Sequence, residues 1–166
     1  VNFSKLLKAA TRARARAYAP YSNFPVGAAV LAGGRVFAAC NVENSSYPLS
    51  VCAERNAVAM AVAAGQRRID AVVIVGGADR AAAPCGGCRQ VLAEFCAADA
   101  PVIYATPGGK PVVTPLCELL PAAFGPADLV RGAAGESKGS ARGPAGIRRS
   151  ATRGRGTRSS GRSRWR

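Results

Sequence analysis

Two short blocks, Cys52-Ala53-Glu54 and Pro84-Cys85-Gly86-Gly87-Cys88, carry three thiols and one carboxylate, with Cys85 lying 33 positions after Cys52. A Cys-x-x-Cys pair clamps one metal ion from the first turn of a helix, and a third Cys from elsewhere completes three protein ligands. A tetrahedral zinc site with three protein ligands keeps its fourth position for water, which separates catalytic from structural zinc. Glu54 lies two residues past Cys52, so it reaches the same pocket without being a ligand. These residues predict one zinc ion held by Cys52, Cys85 and Cys88, with the Glu54 carboxylate beside the open position to move protons.

Both blocks sit at predicted helix starts, and the rest of the chain is organised around them. One helix runs from near Cys52 to Ala64, with Gly65 as its stop. Its residues are small nearly all round, which predicts burial under a sheet or against another subunit. The second block opens a helix to about Cys96. Between them Val72-Val73-Ile74-Val75 reads as a strand covered on both faces. Upstream, Gly27 to Ala32 and Arg35 to Val42 are apolar runs joined by Gly33-Gly34, a hairpin signal. An amphipathic first helix carries Phe3, Leu6, Leu7, Ala10 and Ala17, with Arg12, Arg14 and Arg16 facing away, and stops before Pro20. Downstream, Pro101 to Ala105 reads as a strand, Pro111 to Thr114 as a short edge strand and Leu116 to Leu120 as a helical turn. Helix, hairpin, helix, strand, helix, strand predicts an α/β fold, a three-layer α/β/α sandwich with a mixed central sheet.

The chain has 166 residues and a net charge of +14. Residues 131–166 hold 11 Lys and Arg and one acid, Glu136; residues 1–130 hold 12 Lys and Arg against 8 acids. The basic character therefore belongs mostly to the tail. This divides the chain into a folded domain over 1–130 and an Arg/Gly/Ser-rich segment over 131–166, too poor in apolar residues to offset its ordering entropy and so expected to be disordered. The chain contains no His, which excludes a Ser-His-Asp triad, a Cys-His nucleophile pair and any His-ligated metal. No apolar run is long enough to cross a bilayer, and Val1 to Lys8 lacks a charged-then-apolar export pattern. The expectation is a cytoplasmic protein whose six cysteines are reduced. Cys40, Cys96 and Cys117 lie in or near apolar runs and read as core thiols.

Three thiolates leave a charge of about −1 at a dication, which would make its water less acidic. Arg55 and the helix-start N–H groups are placed to offset this. A redox pair would need neither the third Cys nor the Glu, and structural zinc would want a fourth ligand. Taken from the residues alone, Phe24 serves equally as a packing ring, Asn41 and Glu43 as solvated turn residues, and Arg55 as a surface charge.

Cys-Ala-Glu followed by Pro-Cys-x-x-Cys resembles the signature of the zinc nucleoside and nucleobase deaminases in their three-cysteine variant. Asn41-Val42-Glu43-Asn44-Ser45-Ser46-Tyr47 through Arg55, Pro84 through Leu92, and Tyr18-Ala19-Pro20-Tyr21-Ser22 with Phe24-Pro25-Val26-Gly27-Ala28 look like cytidine deaminase of the small homotetrameric type. The resemblance covers residues 3 to about 129. It implies one Zn²⁺ per subunit on Cys52, Cys85 and Cys88, and Glu54 as the proton shuttle. It further implies Asn41 and Glu43 on the ribose hydroxyls with Val42 between them, Phe24 near the pyrimidine, the Ala53 backbone reading the base edge, and Arg55 hydrogen-bonded to the cysteine ligands. Tyr47 and Phe124 would reach a neighbouring subunit. The implied reaction converts cytidine or deoxycytidine to uridine or deoxyuridine plus ammonia, in pyrimidine salvage. The runner-up readings are a deaminase of an aminonucleoside antibiotic such as blasticidin S and, less favoured, a nucleic-acid-binding protein with structural zinc. The basic tail matches nothing in the family pattern. It reads as a spacer in preference to a nucleic-acid-contacting arm.

Overall fold

The Gly33-Gly34 doublet makes the first tight turn of the sheet. The two glycines take φ of 56° and 73°, the left-handed region in which glycine carries no steric penalty. Ala32 pairs directly with Arg35, so the loop holds only those two residues and its twist matches that of the strands it joins. The strands are β1 (Gly27–Ala32) and β2 (Arg35–Cys40). The structure is a computed structural model and describes residues 3–129. The basic tail expected to be disordered lies outside the described residues.

Three further strands, β3 (Ala71–Val75), β4 (Pro101–Ala105) and β5 (Val112–Pro115), complete a five-stranded sheet of order β2-β1-β3-β4-β5. The pair β3–β4 is parallel and the other pairs are antiparallel, so the sheet is mixed. Every residue of β3 is buried, as its continuous apolar run predicts for a strand covered on both faces. The edge strand β5 is different. Val112 and Val113 of β5 are exposed, and Pro111 and Pro115 bracket them.

Side chains alternate across the sheet and sort into two cores. On one face Ala29, Val73, Val75 and Ile103 meet Leu6, Ala9 and Ala10 of α1 (Phe3–Arg14). On the other, Ala28, Val30, Val72, Ile74 and Val102 meet Ala53, Ala57, Val58 and Ala61 of α2 (Ala53–Ala63) and Leu92 of α3 (Gly86–Phe95). Leu116 of the short α4 (Leu116–Leu119) joins this second core. The result is the three-layer α/β/α sandwich with a mixed central sheet. Each fully buried Val, Leu or Ile side chain contributes about 1.5–3 kcal/mol through removal of apolar area from water.

Close packing of α1 on β1 rests on Gly27. A Cβ there would lie 2.0 Å from the Ala10 carbonyl oxygen and 2.4 Å from the Arg14 nitrogen. Both are helix backbone, which yields only if the whole helix shifts. Gly27→Ala is therefore expected to cost about 2 kcal/mol or more, measured as a lowered urea midpoint. An unchanged midpoint would show that α1 does not seat as described.

Some boundaries differ from the sequence reading. Helix α1 ends at Arg14, short of Pro20. The following amides tighten onto carbonyls three back, from Arg16 to Ala13 and from Ala17 to Arg14. Tyr18 then leaves helical geometry because its N–H donates to Asn41 O and its carbonyl accepts from Glu43 N–H. Strand β2 ends at Cys40, two residues before the expected Val42. Helix α2 buries one face only: Ala59, Met60, Ala63 and Ala64 are exposed on this chain. The three thiols read as core are not fully buried. Cys40 and Cys96 are half-buried and Cys117 is exposed, because each lies at the end of an element or on the outer side of α4.

Candidate active site

The sulfurs converge because α2 and α3 both begin beneath the same end of the sheet. Cys52 caps α2 and Cys85 caps α3, each with extended backbone (ψ 153° and 167°) and no side-chain capping bond. Their carbonyls accept the first helical bonds, from Asn56 N–H (3.1 Å) and Arg89 N–H (3.0 Å). Their thiols are thus left free for another partner. Cys88 sits in the first turn of α3 and is buried. Three side-chain bonds from two residues fix the helix starts. Asn56 Nδ2 donates to Cys40 O (2.9 Å), joining α2 to the end of β2. Arg89 donates from Nε to Pro84 O and from Nη1 to Leu119 O, both at 2.8 Å, pinning the second block to α4.

All three sulfurs lie within 4.8 Å of one another, and Cys52 and Cys85 are 3.9 Å apart. A tetrahedral zinc with Zn–S bonds of about 2.3 Å sets its sulfurs about 3.8 Å apart. The donor set fits zinc in softness, number and spacing. A hydrogen bond from the Cys88 thiol, partly opposed by burial, brings Cys52 down to about 6. The same bond, with burial, pushes Cys88 upward. A dication bound by Cys52, Cys85 and Cys88 would favour the thiolate form of all three.

Glu54, in the first turn of α2, is 5% exposed and is the one buried charged residue among the described residues. Burial pushes its carboxyl above the usual carboxylate range, with its own backbone N–H and the Cys88 thiol opposing. A buried carboxyl beside a thiol cluster and facing a cavity is costly for folding, and such groups concentrate at functional sites.

The cavity measures 370 Å³, and Phe24, Asn41, Glu43, Cys52, Ala53, Glu54 and Cys85 line it. Ser22, Val26, Ile74, Ala82 and Ala83 complete the wall. Asn41 and Glu43 hold this wall together. The Asn41 side chain accepts from Val26 N–H (2.8 Å) and donates to Phe24 O (3.0 Å). The Glu43 carboxylate accepts from Tyr21 N–H (2.9 Å), Ser22 N–H (3.2 Å) and the Ser22 hydroxyl. The Ser22 hydroxyl is the main cause that holds the Glu43 carboxyl below its ordinary range. Val42, between them, points out of the cavity and pairs through its backbone with Tyr18 and Val51. Arg55 is exposed and donates no hydrogen bond to a cysteine; its charge favours the Cys52 thiolate through space. Tyr47 is exposed and meets Tyr21 edge-on, with ring centroids 5.9 Å apart. Phe124 is exposed, its carbonyl accepting from Gln90 Nε2 (2.7 Å). Ser22 and Arg89 are the residues that sequence reasoning missed. Both lie inside the quoted blocks, yet the Glu43 carboxylate that Ser22 meets and the Leu119 carbonyl that Arg89 meets are distant in sequence, which spacing does not reveal.

The family model described as "Cytidine and deoxycytidylate deaminase zinc-binding region" matches residues 2–105. The cytidine deaminase of Sporosarcina psychrophila is 44% identical over 130 residues, covering 78% of this chain and 96% of that protein. The cytidine deaminase of Mycobacterium tuberculosis is 42% identical over 132 residues, covering 79% and 96%. Among solved structures, the cytidine deaminase of Burkholderia pseudomallei superposes with a TM-score of 0.71 at 46% identity, covering 75% of this chain and all of that one.

Proposed function

From the premise that the chain belongs to the cytidine and deoxycytidylate deaminase family, we propose that it converts cytidine and deoxycytidine, with water, to uridine and deoxyuridine plus ammonia. The observation that carries this reading is the buried Glu54 carboxyl on the same cavity as a three-sulfur cluster suited to zinc. Cys52, Cys85 and Cys88 hold the metal. When bound, zinc supplies a Lewis acid that brings water within reach of deprotonation near neutral pH.

The protein groups then have distinct tasks. Glu54 accepts a proton from the attacking water, delivers it to the pyrimidine N3, and passes another to the departing amine at C4. Burial supports this role, because a carboxyl whose pKa lies nearer the working pH both takes and returns protons. The Ala53 backbone, at the start of α2 and on the cavity wall, reads the base edge. Phe24 offers a ring face on the cavity wall. Asn41 and Glu43 take the ribose hydroxyls. A carboxylate and an amide keep spare lone pairs and an N–H after the loop bonds described above, so one pair of residues both shapes the wall and meets the sugar. Arg55 moderates the negative charge of three thiolates.

The relatives named above are named for cytidine, which favours the free nucleoside over an aminonucleoside antibiotic such as blasticidin S. A structural-zinc nucleic-acid-binding protein would have no use for a buried Glu54. No helix among the described residues is long and apolar enough to cross a membrane. A homotetramer serving pyrimidine salvage in the cytoplasm completes the reading. Exposed Tyr47, Leu49, Met60 and Phe124 support the assembly, since a neighbouring subunit would cover them.

The purified protein is expected to hold about one zinc per chain and to release one ammonia for each cytidine consumed, followed by the loss of cytidine absorbance. A zinc-loaded, folded protein that leaves both cytidine and deoxycytidine intact overturns the reading.

A further inference from the structure

The Glu43 carboxylate spends most of its bonding capacity on its own chain, and the part left over has a direction. An ionised carboxylate offers about four acceptor positions, shared between two oxygens. Oε2 accepts from Tyr21 N–H (2.9 Å) and Ser22 N–H (3.2 Å), which fills it. Among the described residues Oε1 accepts from the Ser22 hydroxyl alone. The position left for a ligand is therefore on Oε1, beside that hydroxyl.

The Ser22 hydroxyl is itself fixed in direction. Its oxygen accepts from Phe24 N–H (3.1 Å), and its one proton goes to Glu43, because an ionised carboxylate accepts and never donates. The chain of bonds thus runs one way, from Phe24 through Ser22 to Glu43, and bonds in such a chain strengthen one another. Asn23 makes the turn possible by taking φ of 53°, a left-handed conformation in which asparagine is enriched. The Ser22 hydroxyl also leads the causes that hold the Glu43 carboxyl below its ordinary range, so the oxygen that remains open is charged.

Asn41 holds the other end of Phe24, donating from Nδ2 to Phe24 O (3.0 Å) while Oδ1 accepts from Val26 N–H (2.8 Å). Loss of the Ser22 hydroxyl would leave Phe24 tethered through its carbonyl. Glu43 would keep both amide bonds on Oε2, but Oε1 would be free to turn and to be taken by water.

We propose that Ser22 is a positioning residue for sugar recognition, its hydroxyl aiming the open lone pair of Glu43 Oε1 at a sugar hydroxyl of the nucleoside. Ser22, Asn41 and Glu43 line the same cavity as Glu54 and Cys52. The proposal rests on the nucleoside reading above and adds the residue that directs the sugar contact. That contact lies away from the reacting carbon and is the same before and during reaction, so its loss falls on KM and not on kcat.

Ser22→Ala raises the KM for cytidine by about tenfold or more, the loss expected for one hydrogen bond to a charged group. Its kcat stays within about threefold of the parent. Dideoxycytidine, which lacks both secondary hydroxyls of the sugar, serves as a competitor of cytidine turnover. Its Ki changes by less than about threefold in Ser22→Ala, because it offers no hydroxyl for Glu43 to meet. Ser22→Thr keeps the hydroxyl and brings KM back to within about threefold of the parent. A role confined to the shape of the turn would move KM and Ki together. The proposal is overturned if Ser22→Ala leaves KM unchanged, if KM and Ki rise alike, or if Ser22→Thr is as impaired as Ser22→Ala. Those outcomes leave the nucleoside reading standing, whereas a parent that turns over no cytidine overturns that reading and this proposal with it.

Discussion

Glu54→Gln lowers the rate of cytidine deamination by about 10²–10⁴-fold while zinc content stays at the parental level. Glutamine keeps the size and one oxygen of glutamate but neither takes nor gives a proton. The substitution therefore removes proton transfer and leaves the cavity filled. Two further readouts separate this from misfolding. The sulfurs belong to Cys52, Cys85 and Cys88, so metal analysis of the variant matches the parent. Stability is expected to hold or rise, because burial raises the carboxyl's pKa and so penalises the charged form of Glu54 in the native state. Turnover within tenfold of the parent would remove Glu54 from the chemistry.

The second large effect falls on the metal. Cys88→Ser should lose zinc, with affinity reduced by well over about 100-fold, the upper range for loss of groups that only support a ligand. Serine is nearly isosteric but its hydroxyl stays protonated and hard. Cys88 is fully buried at the start of α3, so the variant also leaves a polar group in an apolar core and should melt at lower temperature. Cys85→Ser provides the cleaner partner experiment. Cys85 is exposed, so its replacement should release zinc with little intrinsic cost to packing. Chelator titration followed by metal-sensitive dye reads both. Stoichiometric zinc retained by either variant contradicts a three-sulfur site.

Much of the fold was legible because local chemistry and tertiary role coincide. Gly33-Gly34 names its own turn, β3 announces double-sided burial, and each Cys block coincides with a helix start. The order of strands was not legible. That β3 leaves β1 antiparallel and then lies parallel to β4 depends on which faces α1 and α2 occupy, a matter of packing between elements far apart in sequence. The end of α1 was misplaced for a similar reason. Local preference permits the helix to run on towards Pro20, but backbone pairing of Tyr18 with Asn41 and Glu43 takes it into extended geometry. The sulfur cluster was legible, since Cys52, Cys85 and Cys88 stand at or just inside helix starts. The bonding of Asn41 and Glu43 was hidden. Their partners are main-chain groups of residues 21–26 and the Ser22 hydroxyl, and only the folded loop brings those within reach.

The far edge of the sheet sets a limit on assembly. Among the described residues β5 presents two exposed valines on a strand with an open side, the arrangement from which edge-to-edge fibres grow. Pro111 and Pro115 stand at either end of that pair, and proline offers no amide hydrogen to an incoming strand. Lys110 adds a cation just outside them. The four-residue edge is thus short and poor in donors, features that oppose its use as a template by another strand.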